Sequence, residues 1–320
     1  MQVALSTRRG IFPHECSTWN IGMAWRHGRD YYRVEPNRNT PTVMSSKRIV
    51  AITNQKGGVG KTTTAINLAA ALAAADRHVL LVDGDPQGNA SSGLGITDLK
   101  GPSLYDVLID RVPARDAIHR GLHLPKLDVL PATPDLAGAE VELVNEERRE
   151  SRMAEALLPE RSNYDYILID CPPSLGLLTV NMLAAADSIV IPLQCEYFAL
   201  EGLSQLLRTV QMVKEGLKPD LVVDGVLLTM YDSRLNLSRQ VAEDAREHFG
   251  KVAFETVVPR NIRLAEAPSY GKPILSYDIG SVGAAAYMSV AKEFMKRMET
   301  FDSSKAAATD DQSLATQAVA

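Results

Sequence analysis

A short β-branched run, Arg48 to Asn54, leads directly into Lys56-Gly57-Gly58-Val59-Gly60-Lys61-Thr62-Thr63, and that turn opens an Ala/Leu-rich stretch from Thr62 to Ala75. Strand, glycine turn and helix in this order constrain the fold more than any other feature. The helix N-terminus presents backbone N–H groups and about half a positive charge at one point, which suits an anion. Gly57, Gly58 and Gly60 let those amides converge on phosphate oxygens. Lys61 is expected to reach the β- and γ-phosphates, the Thr62 hydroxyl to ligate Mg²⁺, and Thr63 to serve the α-phosphate. The competing reading is a strand–helix turn that merely happens to be rich in glycine.

The rest of the chain agrees with an α/β architecture. From Lys47 onward short β-branched runs alternate with longer helical patterns, as βαβ units around a buried parallel sheet require. Strands are expected at Arg48–Asn54, His78–Asp83, Leu127–Pro131, Asp165–Asp170, Ser188–Pro192 and Val223–Met230, with a short one at Thr256–Val258. Helices are expected at Thr62–Ala75, Leu136–Leu158, Leu175–Ala184, Ala199–Glu215, Leu235–Phe249 and Ala284–Glu299. Residues 1 to 46 read as a poorly ordered extension. It is interrupted by Pro13, Pro36 and Pro41, and an in-frame Met44 offers an alternative start. Six Arg against three acidic residues give that stretch only +6 − 3 = +3, too little for a strong basic arm. Residues 47 to 300 form the expected domain, and 301 to 320, rich in Ala, Ser, Thr, Asp and Gln, the expected disordered tail.

One departure from the ordinary loop G-x-x-x-x-G-K-[ST] is informative: Gln55 stands where the first glycine belongs, followed by a second lysine, Lys56. Lys61 already serves the phosphates of its own chain, so Lys56 is surplus there and points to a partner's nucleotide. These residues resemble the deviant Walker A loop of the ParA/MinD ATPases, in which a signature lysine crosses a dimer interface. The resemblance continues through Val82-Asp83-Gly84-Asp85-Pro86-Gln87-Gly88-Asn89, Ile169-Asp170-Cys171-Pro172-Pro173-Ser174, Glu196-Tyr197-Phe198-Ala199-Leu200-Glu201-Gly202 and Pro259-Arg260-Asn261-Ile262-Arg263-Leu264-Ala265-Glu266-Ala267-Pro268. It spans residues 47 to about 298 and is nearest to the chromosomal ParA/Soj branch. It implies a three-layer P-loop NTPase fold with a mostly parallel sheet flanked by helices, with ATP and Mg²⁺ as cofactors.

The resemblance also implies roles. Asp85, just past the second strand, would position or polarise the attacking water, with Lys56 and Lys61 completing the catalytic set. The competing reading makes Asp85 a turn residue before Pro86. Asp170 ends the apolar run Tyr166-Ile167-Leu168-Ile169, so a carboxylate stands where it can hold a Mg²⁺-coordinated water. Pro259 and Asn261 would line the adenine side. Arg234 and Arg263 match the positions at which such proteins contact DNA. A solvated charge is the alternative for both, because Asp232 and Glu266 lie close in sequence. Cys171 and Cys195 lack the spacing of a shared iron–sulfur cluster and are expected to be small buried hydrophobes.

Three classes of function compete. In DNA partitioning, ATP closes a homodimer that binds DNA without sequence preference, and a ParB-like partner stimulates hydrolysis to release it. A net charge of −5 means that any DNA contact must be local. A MinD-like membrane-cycling ATPase needs a basic, apolar C-terminal helix. Here Met288, Ala291, Met295 and Met298 instead read as a core face, followed by Asp302, Asp310 and Asp311. A P-loop ligase such as a dethiobiotin synthetase would need a substrate pocket that no motif marks. With no run of about 18 apolar residues, no signal peptide and no disulfide pattern, the expectation is a cytoplasmic, nucleoid-associated protein without a membrane partner.

Overall fold

The computed structural model describes residues 19–26, 29–36, 47–196 and 199–317. Within the N-terminal extension, β1 (Trp19–Arg26) and β2 (Arg29–Pro36) pair antiparallel, whereas the sequence pattern predicted no element there. The main sheet has six parallel strands: β3 (Arg48–Ile52), β4 (Val79–Asp83), β5 (Leu127–Leu130), β6 (Tyr166–Asp170), β7 (Ser188–Gln194) and β8 (Val222–Thr229). Their spatial order is β5-β4-β6-β3-β7-β8. In register, Ile52 and Asp83 flank Asp170, so the carboxyl ends of three central strands stand side by side.

Strand residues divide strictly between two cores. Ile49, Ala51, Leu80, Val82, Ile167 and Ile169 pack on one face, and Val50, Ile52, Val79, Leu81, Tyr166 and Leu168 on the other. A strand buried on both faces has this continuous apolar character, and a helix layer covers each side. The first face is closed by Leu178 and Met182, Leu203 and Leu206, and Val241 and Ala245, each pair from a different helix. The second is closed by α1 (Lys61–Ala74) and the last helix, Val282–Gln317. Ala291, Met295 and Met298 are buried in that second core, with Met288 packed against it, as the helical spacing predicts.

Three elements differ from the sequence pattern. The helix expected over Leu136–Leu158 is broken into Leu136–Glu142, two short 3-10 turns and Arg152–Leu157. The cause is local competition: Arg148 takes a left-handed φ of 55°, while the buried Asn181 side chain binds the Arg149 carbonyl (2.7 Å) and the Met153 amide (3.2 Å). The strand expected at Thr256–Val258 is absent. The Glu293 carboxylate accepts the Glu255 and Thr256 amides at 2.8 and 2.9 Å, so they do not join a ladder. Finally, the last helix runs on to Gln317 through Ala306-Ala307-Ala308, residues of high helix propensity, where the composition suggested a disordered tail.

Candidate functional site

The glycine loop sits between the end of β3 and the start of α1. Gly58 and Gly60 have φ of +74° and +88°, which residues with a Cβ adopt only under strain, and the space beside Gly57 and Gly58 is open. Below the loop the fold is tied down. The Asn54 side chain donates to the Pro192 carbonyl (2.8 Å) and accepts the Lys56 amide (3.0 Å), and the Thr229 hydroxyl donates to the Val59 carbonyl (2.8 Å). The loop is thereby pinned to β7 and β8. Behind it, Thr64 at the start of α1 shares a 3.1 Å hydrogen bond with the buried Tyr287 hydroxyl of the last helix.

Lys61 is buried, and its ammonium donates to the Lys56 carbonyl at 3.2 Å. Burial pushes its pKa below the ordinary lysine value, while Asp170, Cys171 and Asp85 pull the other way. Asp170 is fully buried. Neither of its carboxylate oxygens has a hydrogen-bond partner among the described residues, although the Thr62 hydroxyl is near enough to favour the anion. Burial, and then the Asp83 charge, hold its pKa well above the usual range. An unpartnered buried carboxylate is uncommon and calls for a missing ligand. A hydroxyl, a carboxylate and an open amide cradle are what a hydrated Mg²⁺ on a polyphosphate takes, since Mg²⁺ keeps several waters and prefers oxygen. No group of three His, Cys, Asp or Glu side chains that could hold a metal ion by themselves occurs among the described residues.

Asp83 and Asp85 have different surroundings. Asp83 accepts the Ser91 amide (2.7 Å), the Ser91 hydroxyl (2.6 Å) and the Asp85 amide (3.3 Å), so it holds the turn rather than facing the cleft. Burial pushes its pKa up to about 6 against those hydrogen bonds. Asp85 is also buried, accepts the Gln87 amide at 3.0 Å, and thus does serve the turn before Gly88. Gly84 between them is packed against Asp170: its amide donates to the Asp170 carbonyl (2.9 Å), and a Cβ there would lie 2.8 Å from that oxygen and 2.3 Å from the Met182 side chain.

The outer residues fall around the same sheet edge. Lys56 is ion-paired with Glu196, beyond the end of β7. Asn261 caps the Ile262–Glu266 helix by accepting the Leu264 amide at 3.3 Å, a role that leaves its amide nitrogen for another partner. A bridge between Tyr231 and Pro259 brings the Arg234 and Arg263 segments together. Both arginines are paired within the chain: Arg234 binds Asp232 through two nitrogens (2.9 and 2.7 Å), and Arg263 lies 2.9 Å from Glu266 and 3.4 Å from Asp278. The paired guanidinium lowers the Asp232 pKa to about 2. Sequence reasoning missed Asn54, Ser91 and Thr229. Glu196 stood inside a quoted motif but carried no role. Cys171 and Cys195 are buried free thiols, and Cys16 lies outside the described residues.

A family model described as an AAA domain matches residues 47–223. The chromosome partitioning protein ParA of Myxococcus xanthus is 61% identical over 78% of this chain and 88% of its own. The sporulation initiation inhibitor protein Soj of Bacillus subtilis is 58% identical over 77% of this chain and 97% of its own. A crystal structure of cobyrinic acid a,c-diamide synthase from Mycobacterium smegmatis, with ADP and magnesium bound, superposes with a TM-score of 0.67. It is 40% identical, and the match covers 77% of this chain and 93% of the other.

Proposed function

Because the chain belongs to the ParA/Soj family of chromosome partitioning proteins, we propose that its glycine-loop cleft drives an ATP-dependent partitioning cycle. The protein is an ATPase that uses Mg²⁺. The observation that supports the cleft as its site is the buried, unpartnered Asp170 carboxylate beside Thr62 and under an open amide cradle.

In this reading the loop amides and Lys61 bind the phosphates, and Thr62, with Asp170 through a water, holds Mg²⁺. Bound Mg²⁺-ATP supplies the phosphoryl group and spreads the charge that develops on transfer. Asp85 orients the attacking water; little base strength is needed, because the transition state is loose. Pro259 and Asn261 contact the base. Lys56 leaves Glu196 to reach the nucleotide of a second copy, so that ATP closes a homodimer. The dimer then holds DNA through Arg234 and Arg263 on phosphates, without sequence preference. A ParB-like partner stimulates hydrolysis and release, which places the working protein on the nucleoid.

Sedimentation with ATP and Mg²⁺, in parallel with DNA and with anionic liposomes, tests this. Co-sedimentation with DNA that disappears with ADP is expected. Pelleting with liposomes and not with DNA would replace the reading with a membrane-cycling one.

A further inference from the structure

We propose that Glu140 is a positioning residue for ATP turnover: its carboxylate holds the far end of the segment that leaves Asp170, and so keeps Pro172-Pro173-Ser174 seated at the carboxyl edge of the sheet. This role rests on the proposed cleft, in which Asp170 serves Mg²⁺-ATP.

The segment runs from the end of β6 to the Leu177–Ala185 helix. Its near end is fixed by backbone: the Gly84 amide donates to the Asp170 carbonyl at 2.9 Å, and the Cys171 amide donates to the Ile52 carbonyl at 3.1 Å. Pro172 and Pro173 have no amide to donate, and Pro173 and Ser174 are exposed. The far end must therefore be held by side chains. The fully buried Thr179 hydroxyl donates to the Ser174 carbonyl at 2.6 Å. The helix itself starts after Gly176, which has no side chain with which to cap it.

Glu140, on the Leu136–Glu142 helix, takes that place. Its carboxylate accepts the Leu178 amide, the second of the Leu177–Ala185 helix, at 3.3 Å, and no Lys, Arg or His pairs with it among the described residues. A carboxylate here satisfies an orphan amide and faces the positive end of the helix dipole. Gly176 makes the contact possible. Its φ of −84° and ψ of −172° are open to any residue, so its backbone does not call for glycine, but a Cβ would lie 2.2 Å from both Glu140 carboxylate oxygens. The carboxylate occupies the volume that a side chain at position 176 would take.

Asp170 and Lys61 are held independently of this contact, by the Gly84 amide and the Lys56 carbonyl. Releasing Glu140 should thus spare triphosphate binding and slow turnover, because a segment that wanders beside the phosphates no longer keeps the reacting groups in line.

The test measures ATP turnover at saturating Mg²⁺-ATP, with affinity for a non-hydrolysable triphosphate in parallel, in full-length Glu140→Ala, Gly176→Ala and the double variant. Each single variant should lower kcat about fivefold, the loss of one helix cap, with triphosphate affinity within about twofold of wild type. The flexible Glu140 side chain can swing aside for the new methyl group, so Gly176→Ala breaks the contact in a folded chain. In the double variant the methyl group has room, and kcat should equal that of Glu140→Ala instead of falling by the product of two losses. Glu140→Gln keeps an acceptor for the amide but lacks the charge, and should lie between wild type and Glu140→Ala. Unchanged or faster turnover in Glu140→Ala, weaker triphosphate binding at unchanged kcat, or multiplicative losses in the double variant would overturn the proposal. Wild-type turnover that survives Lys61→Ala would instead remove the cleft reading itself, and the role of Glu140 with it.

Discussion

The ammonium of Lys56 is ion-paired with the Glu196 carboxylate of its own chain, 140 residues later. The two side chains are 35% and 40% exposed, and a pair in that environment is worth at most about 1 kcal/mol. Such a contact can park a lysine without trapping it. If Lys56 must reach a second copy's nucleotide, this pair competes with closure of the dimer.

Glu196→Gln should therefore tighten ATP-dependent dimerisation by up to about fivefold, the equivalent of about 1 kcal/mol. Sedimentation equilibrium with a non-hydrolysable triphosphate and Mg²⁺ measures it. A weaker or unchanged dimer would mean that Glu196 supports Lys56 in the closed state instead of restraining it in the open one.

Asp170→Asn should move stability and function in opposite directions. Removing a carboxyl whose ionised form is opposed by burial and by Asp83 should stabilise the nucleotide-free chain, by about 1–3 kcal/mol at a pH where that carboxyl is ionised. The same change removes the anion that would hold the Mg²⁺ shell, so Mg²⁺-dependent nucleotide affinity should fall more than about tenfold, the cost of one charge-assisted contact. Denaturant melts and calorimetry report the two effects; loss of stability without nucleotide would contradict the electrostatic account.

Asp232 and Arg234 offer a paired test of the DNA face. Arg234→Glu should weaken DNA binding and lower the salt slope by about 1. Asp232→Asn frees the guanidinium from its two-nitrogen clasp and should strengthen binding at low salt. Fluorescence anisotropy over a salt series separates them, and identical curves for wild type and both variants would make Arg234 a surface charge only.

Glu293 gives a pH signature. Its pKa is lowered despite burial, because it accepts the Glu255 and Thr256 amides and pairs with Arg297. A depressed carboxylate contributes stability that is complete above the unfolded pKa and disappears as the pH falls through the folded one. Glu293→Gln should cost about 1–3 kcal/mol at neutral pH. That difference should shrink in acid, once wild-type Glu293 is itself protonated. Urea melts from pH 7 down to about 3 follow the change; a constant difference across the range would show that the carboxylate's charge is irrelevant.

The loop from Lys56 to Thr63, Asp85 and Asp170 were legible because each motif is contiguous and ends a strand whose apolar pattern announces it. The contacts that make the site rigid were not. Thr229 reaches Val59 across 170 residues, and Asn54 reaches Pro192 across 138. Such pairings depend on the order β6-β3-β7-β8, which hydrophobic periodicity does not encode. The broken segment after Leu136 failed for a related reason. Its apolar spacing continues through Leu143 and Leu157, but a side chain from a distant helix, Asn181, takes the backbone groups that a continuous helix would use. The arginine pairings with Asp232 and Glu266 were foreshadowed by their nearness in sequence, and the bridge between Tyr231 and Pro259 was not.

Strand β8 ends at Thr229, and five residues further on stands Arg234. The hydroxyl at that strand end donates to the Val59 carbonyl of the glycine loop, so in the proposed cycle a remodelling of the loop by a bound triphosphate would pull on the root of the arginine turn. Thermodynamic reciprocity then applies. Under that proposal, whatever engages the turn would alter, by the same factor, how tightly the nucleotide is gripped, and one side-chain hydroxyl would be the place where cargo and fuel exchange information.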